Sequence, residues 1–251
     1  MTAVLRGERL AVTYGSRSVF EGVDLSLEPG RFVALIGPNG GGKSSLLRVL
    51  AGVQRPNAGR VTRAGKAALI APTLDPPGDL SPFDLAGYGL CAERPFWRWG
   101  LAPSDEQRIH AALAQCELDD RDKDPMGALS AGEVQRAWIA AALAAQADML
   151  MIDEPTTHLD LRFALEVLET LVRLARSGAA VVAAIHDLTL AARFADSVAL
   201  LAGGELVAGP PEEVLEAQAL ERAFGVPVST HRHPRDGYLI CLPSPQLVKG
   251  H

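Results

Sequence analysis

Five apolar residues in a row, Phe32-Val33-Ala34-Leu35-Ile36, separate Pro29-Gly30 from a glycine-rich turn. An uninterrupted run of this length suits a strand covered on both faces. It passes into Leu46-Leu47-Arg48-Val49-Leu50, which Gly52 stops, so strand, loop and helix follow one another. Upstream, residues 4–28 mix β-prone residues with breakers at Gly7 and Gly15 and predict a small antiparallel β unit with Tyr14 on its loop. Further on, the pattern predicts a strand over residues 67–71, an alanine-rich helix after Ser130 and a strand over Met149 to Ile152. Next come a helix with Leu161, Leu165, Leu168, Leu171 and Val172 at helical spacing and a buried strand over residues 179–185. Strands alternating with helices imply a largely parallel sheet covered on both faces, with ligands at the carboxyl ends of its strands. Near the end, Gly203-Gly204 between two β-like runs reads as a hairpin, and Pro210 starts a helix.

Between residues 74 and 128 the texture changes. Pro76, Pro77, Pro82, Pro95 and Pro103 punctuate it, and Phe96, Trp97 and Trp99 cluster. Ser104-Asp105-Glu106-Gln107 has the form of a capping box ahead of Ile109, Leu113 and Cys116, so a separate, mainly helical lobe is expected. With 251 residues, 48% of them hydrophobic, the chain can bury a full core as one large domain with an inserted lobe. A net charge of −6 argues against a surface built for nucleic acid. Cys91, Cys116 and Cys241 have no metal-ligand spacing and read as reduced thiols. Residues 1–10 have no apolar signal segment and no stretch approaches the roughly 18 apolar residues of a membrane span, so any membrane role is expected to come through a partner.

The chemistry concentrates at strand ends. Gly37-Pro38-Asn39-Gly40-Gly41-Gly42-Lys43-Ser44 fits the G-x4-G-K-[ST] phosphate loop. Its glycines let backbone N–H groups converge on phosphate oxygens, Lys43 reaches the β- and γ-phosphates and Ser44 can ligate Mg²⁺. The bland alternative is a glycine-rich turn with a surface lysine. Asp153 and Glu154 follow a buried strand, where the first can hold Mg²⁺ and the second can polarise an attacking water; two carboxylates in a plain turn are the alternative. His186 follows the next strand and could contact a γ-phosphate, although a lone histidine is more often structural. Leu129-Ser130-Ala131-Gly132-Glu133 taken alone reads as a capping box.

The order of these segments changes their meaning. Phosphate loop, helical insert, Leu-Ser-x-Gly-Glu, apolar strand with Asp-Glu, Thr157-His158-Leu159-Asp160 and a strand ending in His186 together resemble the ABC ATPases, over nearly the whole chain. The resemblance implies an α/β, P-loop NTPase fold: an ABC-type nucleotide-binding domain with a RecA-like core, an N-terminal antiparallel β subdomain and an inserted helical subdomain. Its boundaries would be 1–73 and 129–251 for the core with its β unit and 74–128 for the helical part. It implies ATP and Mg²⁺ as cofactors, with Tyr14 stacking on adenine and Gly37, Pro38, Asn39, Gly40, Gly41, Gly42, Lys43, Ser44 and Ser45 forming the Walker A loop. Asp153 closes Walker B, Glu154 is the catalytic base and His186 the switch histidine. Ser130 and Gly132 belong to the signature that completes the site of a second copy, head to tail, and Asp160 belongs to the D-loop between the two sites. Two departures stand out: Ala131 and Glu133 in the signature, where glycine and glutamine are usual, and Pro72-Thr73, where Pro-Gln is usual.

Residues 186–196, the Thr157-His158-Leu159-Asp160 phrase and Gly209-Pro210-Pro211-Glu212-Glu213-Val214 look most like importers of ferric siderophores, haem and cobalamin. That resemblance implies polytopic permease subunits as partners, a solute-binding protein indirectly, no nucleic acid, and a place on the cytoplasmic face of the cell membrane. A soluble regulatory ABC-class ATPase without a transport partner is the alternative.

Overall fold

The computed structural model describes residues 3–71, 78–91 and 100–244. The chain opens with β1 (Leu5–Tyr14) and β2 (Arg17–Leu27), an antiparallel pair, followed by β3 (Phe32–Ile36), α1 (Lys43–Ala51), β4 (Ala58–Arg63) and β5 (Ala67–Ile70). Next come α2 (Pro82–Cys91), α3 (Pro103–Gln115), α4 (Ala131–Ala144), β6 (Met149–Ile152), α5 (Leu161–Arg176), β7 (Ala180–Ala184) and α6 (Leu188–Phe194). The last elements are β8 (Ser197–Ala202), β9 (Glu205–Gly209), α7 (Pro211–Val214), α8 (Ala217–Phe224), β10 (Val228–Arg232) and β11 (Leu239–Pro243).

Six strands form the main sheet in the order β5-β6-β7-β3-β8-β9, parallel except for β9, which returns antiparallel to β8. The strands β3, β6 and β7 are buried at every position, as the continuous apolar runs require. Alternate residues serve opposite faces. Ala34, Ile36, Leu150, Ile152, Val181 and Ala183 pack into one core with α4 and α5, while Val33, Leu35, Met149, Met151, Val182 and Ala184 pack into a second with α1 and the β1–β2 pair. Because β6, β7 and β3 are neighbours, the segments that follow them emerge side by side on one edge of the sheet.

Several expectations need correction. Tyr14 is the last residue of β1 and pairs with Arg17 across the Gly15-Ser16 turn, rather than lying on a loop. The β unit has a third strand: β4 pairs with β1, giving the order β2-β1-β4. The helix expected to start at Ser104 begins earlier, with Ala102 as its N-cap and Pro103 in its first turn; the Asp105 carboxylate accepts from the Ala102 N–H at 2.8 Å. Leu161 is 70% exposed, so the stripe by which α5 enters the core runs through Ala164, Val167, Leu168, Leu171 and Leu174 instead. The α8–β10–β11 unit is an addition to the expected elements. The helices α2, α3 and α4 pack on one another, through Leu85, Ala86, Ile109, Leu113 and Ala137. Pro72, Thr73, Pro76, Pro77, Pro95, Phe96, Trp97 and Trp99 lie outside the described residues. Cys116 and Cys241 are free and buried, and burial pushes their thiols up to about 12 and about 11. Among the described residues no helix is long and apolar enough to cross a membrane.

Candidate functional site

The glycine-rich turn leaves the carboxyl end of β3 and enters α1. Glycine is required at two of its positions by space as well as backbone. Gly37 has φ 147°, and a Cβ there would lie 2.1 Å from the Leu201 carbonyl oxygen on β8. Gly42, the N-cap of α1, has φ 101°, and a Cβ would meet Val19 Cγ1 at 2.6 Å. No side chain caps α1 and no acidic residue stands in its first turn, so its N–H groups and positive dipole end face the cleft without a built-in anion. The Lys43 side chain folds back over the turn, and Nζ donates to the carbonyls of Gly37 (2.8 Å) and Pro38 (3.1 Å). Burial draws the ammonium below its usual range, against the opposing pull of Glu154 and Asp153.

The two carboxylates leave β6 in different environments. The buried Asp153 carboxylate stands beside the Ser44 side chain, and its Oδ1 has no hydrogen-bond partner. Burial raises its pKa above the usual aspartate value, with Glu154 adding to the rise and Ser44 opposing it. Glu154 has φ 54°, a left-handed conformation uncommon for a residue with a Cβ, and such strain is found where surrounding contacts hold a side chain in place. Those contacts are His186 Nε2, 2.8 Å from Oε1, and Thr157 Oγ1, which donates to Oε2 at 3.1 Å. Burial works to raise the Glu154 pKa, but His186, Thr157 and Lys43 together outweigh it and hold the carboxyl below the ordinary glutamate value. One carboxylate thus sits desolvated beside a hydroxyl, and the other is kept ionised beside an imidazole.

These groups border an open cleft of about 920 Å³ whose walls include Tyr14, Asn39, Gly40, Gly42, Lys43, Ser44, Ser45, Glu154 and His186. Arg17, Thr157 and Asp187 also line it, and the sequence did not mark them as site residues. Thr157 lay within the quoted Thr157-His158-Leu159-Asp160 phrase, but its bond to Glu154 depends on the reversal of the chain at Glu154. The Tyr14 hydroxyl is 3.2 Å from Ser45 Oγ and donates to Gln54 Oε1 at 2.9 Å, which anchors the exposed ring at the cleft mouth beside α1. These contacts, Ser45 foremost, lower its pKa.

The remaining expected residues stand apart. Ser130, Gly132 and Asp160 do not line this cleft. Ser130 caps α4 in a closed box: Glu133 N–H donates to Ser130 Oγ at 3.3 Å, and Glu133 Oε2 accepts from both the Ser130 N–H (2.7 Å) and its hydroxyl (2.8 Å). Gly132 packs on α5, where an added Cβ would fall 2.9 Å from Phe163 Cβ. Asp160 caps α5 by accepting from the Phe163 N–H at 3.0 Å. Both helix starts are bolted together by the buried Arg136, whose Nη1 is 2.8 Å from Glu166 Oε2.

Residues 20–157 match the family model described as ABC transporter. The chain is 40% identical to the hemin import ATP-binding protein HmuV of Streptomyces coelicolor, over 93% of this chain and 88% of that protein. It is 35% identical to the ferric enterobactin transport ATP-binding protein FepC of Escherichia coli, over 89% of this chain and 88% of that one. A solved structure of a metal-chelate type ABC transporter in an inward-facing conformation superposes with a TM-score of 0.89 at 25% identity, over 98% of this chain and 99% of that one. Aligned with such proteins over most of its length, and with a glycine-rich turn, Glu154 and His186 around one cleft, the chain is a member of the ABC transporter family and one of its ATP-binding ATPases.

Proposed function

We propose that this chain hydrolyses ATP to drive an importer of metal chelates of the ferric-siderophore, haem or cobalamin type, working as a head-to-tail pair on the cytoplasmic face of a polytopic permease that a solute-binding protein supplies. The observation that carries the catalytic reading is the Glu154 carboxylate, held between His186 and Thr157 in the same cleft as Lys43 and Ser44. The import reading is supported by the names of relatives aligned over nearly the whole chain.

In this reading the phosphates of ATP rest on the N–H groups of residues 37–45, and the Lys43 ammonium exchanges its two carbonyl partners for phosphate oxygens, which bind it more strongly. The orphaned Asp153 Oδ1 and the Ser44 hydroxyl fit a hard cation that prefers oxygen donors. Mg²⁺ held there would neutralise charge on the β- and γ-phosphates. Glu154, ionised at neutral pH, accepts the proton of the attacking water, and His186 orients that carboxylate and reaches the γ-phosphate. Tyr14 offers its ring to adenine, while Ser130, Gly132 and Asp160 serve the cleft of the second copy. Residues 1–73 and 129–251 act as the core with its β unit, and residues 74–128 as the helical lobe that meets the permease.

Phosphate release from Mg²⁺-ATP by the purified chain tests the catalytic half. Glu154→Gln should lower turnover by about a hundredfold or more, the usual contribution of a general base, with ATP still bound. Undiminished turnover would remove Glu154 from that role. Isolation of the tagged chain from membranes should bring a polytopic permease with it, and disruption of the gene should stop uptake of one chelate. If neither occurs, the import half fails.

A further inference from the structure

The C-terminal hairpin reaches the segment that carries His186. After β7 the chain passes His186 and enters α6, whose N-cap is Asp187; the Asp187 carboxylate accepts from the Leu190 N–H at 2.9 Å. A helix of seven residues has little stability of its own, so its direction must come from what it packs against. One support is β11. The Cys241 N–H donates to Thr189 Oγ1 at 3.1 Å, and the Thr189 hydroxyl turns back to the Cys241 carbonyl at 3.5 Å. Asp187 is close enough to this strand to push the Cys241 thiol up further, after burial. The far end of α6 is held too: the Arg193 guanidinium lies 5.5 Å from the centre of the Tyr238 ring, and that ring stacks on His233 at 4.8 Å with 8° between planes.

We propose that Thr189 is a positioning residue for hydrolysis, pinning the switch segment to β11 so that the His186 imidazole stays on the Glu154 carboxylate. The proposal rests on the reading of Glu154 and His186 given above. The reach is short: Thr189 stands three residues after His186, within the first turn of α6, and a tilt of that turn moves the imidazole along the edge of the cleft. The bond to Glu154 is 2.8 Å long and tolerates little displacement before it is lost. Thr189 touches neither ATP nor the reacting atoms, so its effect should appear in turnover and not in nucleotide affinity.

Thr189→Val keeps the shape of the side chain and removes both hydrogen bonds to Cys241. In the full chain with Mg²⁺-ATP, kcat should fall by roughly three- to tenfold, the range that one hydrogen bond's net worth converts to, with KM for ATP unchanged. Thr189→Ser, which keeps the hydroxyl, should restore kcat. Amide hydrogen exchange over residues 186–194 should quicken in the valine variant and return to normal in the serine variant. Unchanged exchange there would overturn the proposal, and so would a folded valine variant with wild-type kcat. A parallel loss of kcat, ATP affinity and thermal stability that serine does not repair would likewise overturn it, in favour of packing alone. If Glu154→Gln hydrolyses ATP like the wild type, the failure belongs to the reading of the site, and the exchange measurement still decides whether Thr189 pins the segment.

Discussion

Asp153 and Glu154 are adjacent in sequence and opposite in electrostatic character. The Asp153 pKa is raised, chiefly by burial, so the folded chain holds that proton more tightly than the unfolded chain does. Its contribution to stability is full below the ordinary aspartate value of 3.8, is lost as pH rises through the folded value, and leaves the ionised group a net burden at neutral pH. Asp153→Asn should therefore abolish Mg²⁺-dependent hydrolysis while raising the Tm of the nucleotide-free chain at pH 7, by roughly 2–4 °C if the gain is of the usual size. A scanning calorimeter checks this, and a lowered Tm would contradict the burial argument. Glu154 runs the other way: with a depressed pKa, its stabilising contribution is present above the ordinary 4.5 and is lost as pH falls through the folded value. Since His186 is the main group holding that value down, His186→Ala should move the acid limb of the pH–kcat profile to higher pH, besides lowering kcat. An acid limb that stays in place would detach His186 from Glu154.

Elements explain why some expected residues have the identities they do. Gly132 brings the start of α4 against Phe163 on α5, and its replacement by alanine would set a Cβ 2.9 Å from Phe163 Cβ. Overpacking of this kind costs about 1–3 kcal/mol, so Gly132→Ala should lower Tm, and a Phe163→Gly background, which removes that Cβ, should recover part of the loss. No recovery would mean that Gly132 is needed for something other than the contact between α4 and α5. This packing was beyond the reach of the sequence, where Gly132 could be read only through a capping box or a resemblance. The buried strands β3, β6 and β7 were legible because a strand covered on both faces admits nothing but apolar residues. The strand β4 was not, since Ala58–Arg63 has one partly buried apolar side chain, Val61, and pairs at the edge of a small sheet. The polar Val228–Arg232 strand escaped for the same reason. Leu161 kept helical spacing yet stands at the cleft rim, because periodicity fixes a face of α5 and not how far along it the core extends.

At the scale of the whole molecule, the strand order explains why three distant segments meet. The order β6-β7-β3 puts the Asp153-Glu154 turn, His186 and the phosphate loop at adjacent strand ends, although 149 residues of sequence separate Gly37 from His186. The same architecture brings the start of α5 to the rim of that cleft through Leu161 and Ala164, while Ser130 and Gly132 at the start of α4 stay out of its lining. With residues 37–45 binding phosphate and Ser130 and Gly132 serving a second copy, as proposed above, a two-fold pair in which each chain completes the other's cleft satisfies both. The arrangement makes a prediction that no single variant can. In chains that carry Glu154→Gln, Lys43→Ala should prevent ATP-driven pairing by removing the phosphate contact, and Ser130→Arg should prevent it by crowding the start of α4. Mixed in equal amounts, the two variants can form a pair in which one cleft combines both defects and the other combines an intact Lys43 with an intact Ser130. Sedimentation with labelled ATP should then find dimers containing one nucleotide, in a mixture whose components are each monomeric alone. If Ser130 instead served the cleft of its own chain, every possible pair would have a defect in each cleft, and the mixture would stay monomeric.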